Sequence, residues 1–525
     1  MLHMPAALPL DLSTAMHERQ YRDSLHWPLE HATARDFHLG VNERFLQVMA
    51  AETDQFWRDV LVLAAPLVWM DALSRLEYAL IAQGLEDRGQ SCIGGPAYMS
   101  ELTGRRDDAR HAGTQPRMKS DRAVGRALLR RVVRTASWTP WYRLPRALLA
   151  PQIVAVSHHT FLRAEARNGG VIAFHHAPNL IDALPQASLT PADREQIAEL
   201  SRTVAVPFLE HAVLKEPFRG RLASVCAAVI AEHLSTAAIW MRRLRQARKM
   251  PRHVWAGTGG YRPVRAIRLE VRRRGGTATG FDHGGSTAMV DEPFGLAVLE
   301  QSVSDEFRVY TKDAAALVSP RGAELARPFA NVAVTGGEGD PAFAVPLQKP
   351  RASSGDRRVL YVSGPFLGPR QRMRPAINDV MKFDWQFRLA AQLNALPIEL
   401  LCQPHPEGAL AGQTHPLSEV APVSGKKFEE VFAWADVIVT DVVLSTTLWK
   451  AACSSKPIVL IDLDMCNLNP RLSSVLSGRL RIVRARYDER NRPVVADDEL
   501  KDAVLGVPLT ADPSAFRLLL AGVHA

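Results

Sequence analysis

The stretch KKFEEVFAWADVIVTDVVLSTTLWKAACSSKPIVLIDLD, residues 426–464, decides the fold. It reads as helix, strand, helix, strand. DVIVTD (436–441) and KPIVLIDLD (456–464) are short apolar runs closed by polar residues. KKFEEVFAWA (426–435) and STTLWKAAC (445–453) have helical spacing. Continuous apolar strands that alternate with helices belong to a parallel sheet covered on both faces. Working outward, PIELLCQ (397–403) and RRVLYVSG (357–364) predict two further strands, with a helix over Asp384–Asn394 between them. RLRIVRAR (479–486) predicts another strand on the C-terminal side.

Residues 328–356 hold Gly, Pro and Ser without a period and read as a linker. Upstream of it a second α/β pattern runs from Pro151. VIAFHH (171–176), HVWAG (253–257), Thr277–Phe281 and Phe307–Thr311 are strands; Ser224–Leu244, Val264–Arg274 and Lys312–Val318 are helical. Before that, Asn42–Gly84 is apolar with helical spacing, and residues 1–40 read as a loosely held arm. The expected organisation is therefore a mostly helical region over 1–150, a Rossmann-like domain over 151–340 and a second over 350–525.

Charge is localised. The chain has 64 Lys and Arg against 55 Asp and Glu. Residues 105–146 alone hold twelve basic and three acidic residues, so the remainder is close to neutral. Within them, Asp121–Ser137 has arginines at every fourth position (Arg122, Arg126, Arg130, Arg134), with Trp138, Trp141 and Tyr142 following. That composition suits either an anionic membrane surface or an ordinary solvated helix face. The five cysteines form no CxxC pair, which argues against a disulfide framework or thiolate zinc site and for a cytoplasmic setting. No signal-peptide layout is expected, and the run Val60–Met70 is too short to span a bilayer.

Ligands of open parallel sheets bind beyond the carboxyl ends of the strands. Five strand ends carry candidates. QPHPEG (403–408) offers His405, held between prolines, with Pro406 and Glu407. TDVVLSTT (440–447) ends on Asp441 and opens a helix with Ser445, Thr446 and Thr447, where amides and hydroxyls could cradle phosphate or serve only as caps. SGPFLGPRQRMR (363–374) offers Ser363, Gly364 and Arg370. GTGGYRP (257–263) offers Gly257, Thr258, Gly259, Gly260 and Arg262 for close backbone approach. FDHGG (281–285) places Asp282 beside His283 at a strand end, a pairing able to act as nucleophile, acid or base. HHAPNLID (175–182) matches no zinc spacing, and DLD (462–464) sits in a core-like strand and reads as structural.

Two Rossmann-like halves, an HP pair (His405, Pro406) and a later hydroxyl group at a helix start resemble GT-B glycosyltransferases. More narrowly they resemble bacterial transferases that use CMP-activated acidic sugars, the sialyl and Kdo transferases of capsule and lipopolysaccharide assembly. The resemblance covers about residues 250–500 and implies two domains facing a cleft; the helical N-terminal extension over 1–150 lies outside it. It implies donor contacts at His405, Ser445, Thr446 and Thr447, where this chain has STT in place of the SS common in those families. The stretch from GTGG to FDHGG, with Glu300 beyond it, is similar to surface-carbohydrate transferases carrying an HGG strand end, retaining β-Kdo transferases among them. This implies an acidic residue at the anomeric carbon: Asp282, with Glu270 and Glu300 as lesser candidates. The expected partners are a CMP-sugar donor, a glycan acceptor (free or lipid-linked) and the inner membrane face through 105–146, with no nucleic acid. No cofactor or metal enters this scheme. The alternatives are a CDP-glycerol-type phosphotransferase, a UDP-sugar GT-B transferase, and a basic glycan- or nucleic-acid-binding protein without catalysis.

Overall fold

A computed structural model describes residues 7–523 except 19–20, 105–131, 134, 138, 140, 150–152, 158, 169–171, 183, 211–212, 348–355, 369–376, 407, 411–412 and 509. Two parallel sheets dominate it. The first comprises β1 (Ile153–Ala155), β2 (Ile172–Phe174), β3 (His253–Ala256), β4 (Thr277–Phe281), β5 (Glu306–Val309) and β6 (Ala333–Gly336), in the order β2-β1-β3-β4-β5-β6. The second comprises β7 (Arg357–Val362), β8 (Ile398–Gln403), β9 (Val437–Thr440), β10 (Ile458–Asp462) and β11 (Leu480–Arg484), in the order β8-β7-β9-β10-β11. Both orders reverse beside the first strand of each sheet, between β1 and β3 and between β7 and β9. Loops that leave a parallel sheet on opposite sides diverge there and leave a crevice.

The expected strands of the second sheet match within a few residues. The buried parts of central strands β7 and β9 are apolar up to the terminal Thr440 of β9, as expected of strands covered on both faces. The linker expectation needs correction. Ala333–Gly336 lies inside 328–356 yet pairs in parallel with β5, from Glu306↔Ala333 to Val309↔Gly336. It escapes notice because it is a four-residue, half-exposed edge strand ending on glycine.

The helical N-terminal region is built on α1 (His31–Ala50) and α2 (Gln55–Asp87). Asp54 starts α2 by accepting the Phe56 and Trp57 amides at 2.7 and 3.0 Å. It packs along α4 (Phe218–Arg245), which in turn meets α3 (Pro191–Leu209). Helix α4 is the one described helix long and apolar enough to cross a bilayer, but half of its most apolar window is buried inside the protein.

The loosely held arm is also corrected. Leu8, Leu10, Leu12, Tyr21, Leu25, Trp27 and Leu29 are all buried. Leu8–Pro9 pairs with Cys92–Ile93, and Trp27 exchanges backbone and side-chain bonds with Arg490 and Asn491 near the end of the second half. Helix α1 then pins the loop after β10: His31 stacks on Tyr487 with ring centres 4.0 Å apart, and Arg35 pairs with Asp464 and with Asn467. The DLD stretch is thereby engaged in holding helix to sheet.

The last helix, α9 (Ser514–Ala521), returns to the first half, where the Leu520 carbonyl accepts the Asp340 amide at 2.8 Å and Leu519 accepts the Thr311 hydroxyl at 2.9 Å. Each of the two large apolar clusters draws residues from both sheets, so the halves share their cores.

Candidate active site

Beyond β4 the chain runs Asp282, His283, Gly284, Gly285. Both glycines take positive φ, 84° and 78°, which folds the loop back on itself. The turn is held by the Gly285 amide, which donates to the Tyr310 hydroxyl at 3.2 Å. On its outer side it meets the start of α8 (Thr446–Ala452). A methyl group placed on Gly284 would lie 3.3 Å from the Thr446 hydroxyl oxygen, and one on Gly285 would press on Phe343 and Trp449. The strand end FDHGG and the helix start STT, 160 residues apart in sequence, are thus neighbours.

A cavity of about 140 Å³ opens beside this junction. Asp282, His283, Thr287, Glu292 and Glu300 supply its polar wall, and Leu444 closes it from the second half. Asp282 is buried, with the Thr287 hydroxyl donating to its Oδ1 at 2.6 Å. Burial pushes its carboxyl up to about 7; the Thr287 bond and neighbouring His283 pull the other way, and Glu300 adds to the rise. His283 stands exposed at the rim, its ring 6.5 Å from that of His159. Glu300 is buried on the cavity wall. Its Oε1 accepts the Gly259 amide at 2.8 Å, and its Oε2 lies 3.5 Å from the Arg268 guanidinium.

The glycine loop GTGG, at the first switch point, is filled from beneath. Gly257 donates to Ser157 at 2.7 Å, and the Gly259 carbonyl accepts from Arg265 at 3.1 Å. A Cβ on Gly259 would strike the Leu299 carbonyl at 2.2 Å. Two of its amides are therefore spent on protein partners, and its glycines are required by close packing. Arg262, at the first turn of α5 (Arg262–Arg273), turns away from the cavity and bonds to His233 at 3.0 Å; His233 is itself 2.7 Å from Asp71. Glu270 lies on the same helix and is held by Arg273 and Arg274, away from the cavity wall.

At the second switch point Asp441 follows β9. It too is buried, but each of its oxygens is taken. Oδ2 accepts Tyr361 and the Trp385 indole at 2.8 and 2.9 Å, and Oδ1 accepts the Gly364 amide at 3.2 Å. Burial raises its carboxyl while these bonds oppose the rise. Ser363 is buried beside it, and its hydroxyl has no hydrogen-bond partner among the described residues. Ser445 caps α8 by accepting the Thr447 amide at 3.2 Å, whereas Thr446 is exposed.

His405 and Pro406 are exposed beyond β8, at the edge of the sheet. His405 and the STT helix follow strands that are consecutive in the chain, β8 and β9, with β7 between them in the sheet. Two strand spacings put those strand ends about 10 Å apart on the same side of the sheet. Arg370 and Glu407 lie outside the described residues, as do Arg122, Arg126, Arg130 and Arg134 of the basic segment. Sequence reasoning did not single out Thr287, Tyr361 or Trp385. Thr287 had a signal, a hydroxyl five residues past the carboxylate it serves.

No family model matches this chain, and no curated protein matches it.

Proposed function

We propose that this protein is a glycosyltransferase of the two-sheet GT-B type that moves an acidic sugar of the Kdo class from a CMP donor to a surface glycan. The observation that supports it is the meeting of the Asp282–His283 loop with the start of α8 beside a cavity lined by three carboxylates, Asp282, Glu292 and Glu300. A transferase needs a proton acceptor and a seat for the departing phosphate within reach of one anomeric carbon. Asp282, raised to about 7, is poised at neutral pH to take the proton of an acceptor hydroxyl. As the acceptor oxygen bonds to the anomeric carbon, the bond to phosphate breaks and its electron pair leaves with the phosphate. The Thr446 hydroxyl, exposed beside Gly284, donates to that departing oxygen.

The cavity is smaller than the roughly 300 Å³ of an ordinary ligand pocket, so it suits a sugar ring and not the nucleotide. The nucleotide is left to the surface between α8 and His405. Thermal-shift titration with CMP, CDP, UDP and GDP tests the donor: stabilisation by CMP is expected, and stabilisation by UDP alone would overturn the CMP assignment. Mass spectrometry of the product separates a glycosidic bond from the phosphodiester of a CDP-glycerol-type phosphotransferase.

A further inference from the structure

The four most exposed large apolar side chains among the described residues fall in one stretch: Leu149 at 86%, Trp141 at 84%, Tyr142 at 62% and Val133 at 58%. Water-facing apolar groups scattered singly need no explanation, but a run of them with two aromatics does. The stretch is held at its base. The Thr139 hydroxyl donates to the Ile172 carbonyl at 3.2 Å, and Thr135 accepts the Phe174 amide at 3.3 Å, both on the edge strand β2. The short helix Leu144–Leu149 rests on that strand and buries Ala147 completely. Anchored this way, the segment covers an exposed sheet edge with its inner side. Its outer side presents Trp141, Tyr142 and Leu149, with the exposed Arg143 and Arg146 between them. Trp141 and Tyr142 meet edge to face at 6.0 Å, and Arg143 lies over the Tyr142 ring.

We propose that this face, Trp141–Leu149, docks the protein onto an anionic lipid bilayer. Tryptophan and tyrosine settle at the headgroup level, where one end of the ring is apolar and the other wet. Leu149 reaches the acyl boundary, and the two arginines meet lipid phosphates. Charge picks the bilayer as occupant. In the sequence, residues 105–146 carry twelve basic and three acidic side chains, and the rest of the chain is near neutral. A protein partner would be expected to bury such a face in a complementary pocket, whereas a fluid anionic surface needs only aromatic wedges and positive charge. The proposal goes beyond the transferase reading and does not rest on it.

Flotation of the full chain with vesicles tests it without any substrate. In 0.1 M salt the chain should float with vesicles of equal phosphatidylglycerol and phosphatidylcholine, and stay behind with phosphatidylcholine alone. The triple substitution W141A/Y142A/L149A should cut the bound fraction about tenfold, and R143E/R146E should do so in a salt-dependent way. These side chains face solvent, so the melting temperature of each variant should match the parent. Three results would overturn the proposal: no flotation with either vesicle, equal flotation with neutral vesicles, or undiminished flotation of the triple variant. Retention on heparin or single-stranded DNA that exceeds vesicle binding and ignores the apolar substitutions would assign the patch to a soluble polyanion instead.

Discussion

Asp282 and Asp441 are buried carboxylates just beyond strands β4 and β9, one in each sheet. Each follows a central parallel strand, each is 3% exposed, and burial raises the carboxyl of each. Their surroundings differ. Asp441 accepts three hydrogen bonds from Tyr361, Trp385 and Gly364 and lies in closed packing. Asp282 accepts from the Thr287 hydroxyl and the His283 backbone, and it looks onto a cavity. A carboxylate whose lone pairs are filled by fixed donors is a clip that holds strand, loop and helix together. One that faces a cavity keeps the capacity to exchange a proton. The comparison separates structure from chemistry at two positions that look alike.

The sharpest way to break it is Asp282→Asn. If the carboxyl carries a proton in the reaction, turnover of a sugar donor should fall about a thousandfold, within the usual span of general acid–base catalysis. Stability should not fall with it. The folded carboxyl sits at about 7, above its ordinary value near 4, so the folded state holds a proton that the unfolded chain releases. Stability supplied by that proton is complete below about pH 4 and drains away as pH rises through 7. The Asn variant lacks this slope. Its melting temperature should equal or exceed the parent's at pH 8, while the parent's activity profile should show a titration near 7 that the variant loses. A variant that melts early and keeps its turnover would reverse the assignment.

Asp441→Ala should do the opposite. It strands the Tyr361 hydroxyl and the Trp385 indole in a buried site, at about 1–3 kcal/mol for each orphaned donor. Chemical denaturation should show a loss of roughly 3 kcal/mol, and the molecules that remain folded should keep their turnover per site. An unfolding curve unchanged from the parent would mean that the three bonds to Asp441 hold nothing.

The strands of the second sheet were legible because central parallel strands are unbroken apolar runs with polar stops, and such runs need no tertiary context to be recognised. Edge strand β6 was not, since Ala333–Gly336 buries too little to leave a pattern. Nor was the packed N-terminal region: Leu8, Leu10, Leu25 and Trp27 are buried, yet they belong to short pieces without a helical period. The candidate site was half legible. FDHGG and STT each stood out as a strand end or helix start, but their meeting depends on how the two halves pack together. The difference between Asp282 and Asp441 was invisible, because Tyr361 and Trp385 come from 80 and 56 residues away.

Thr446 tests the junction with a smaller change. It is exposed, its hydroxyl lies beside Gly284, and the capping bond of α8 belongs to Ser445 instead. Thr446→Val keeps the shape and removes the hydroxyl. Loss of the hydrogen bond to the departing phosphate oxygen should lower kcat about tenfold and leave the melting temperature in place. Ser445→Ala should show the reverse, about 1 kcal/mol of stability lost with the cap. If the two substitutions behave alike, the helix start has no division of labour.

A third buried carboxyl calibrates the first two. Glu77 lies inside α2 at 3% exposure, and burial, with Asp379 adding to it, pushes its carboxyl up to about 8. Its Oε2 has no hydrogen-bond partner among the described residues, and it is not among the residues that line the cavity at Asp282. It therefore has the raised carboxyl of Asp282 without either the cavity or the donors of Asp441. Glu77 is protonated in the folded chain at neutral pH and ionised in the unfolded one, so it too supports stability below about pH 4 and loses that support as pH climbs through 8. Glu77→Gln should be silent near pH 5 and should raise the melting temperature by about 2–4 °C at pH 9, where the parent buries a charge. Turnover should not change at any pH. If Glu77→Gln instead abolishes turnover, a raised carboxyl alone marks function in this protein, and the cavity beside Asp282 is no longer what distinguishes it.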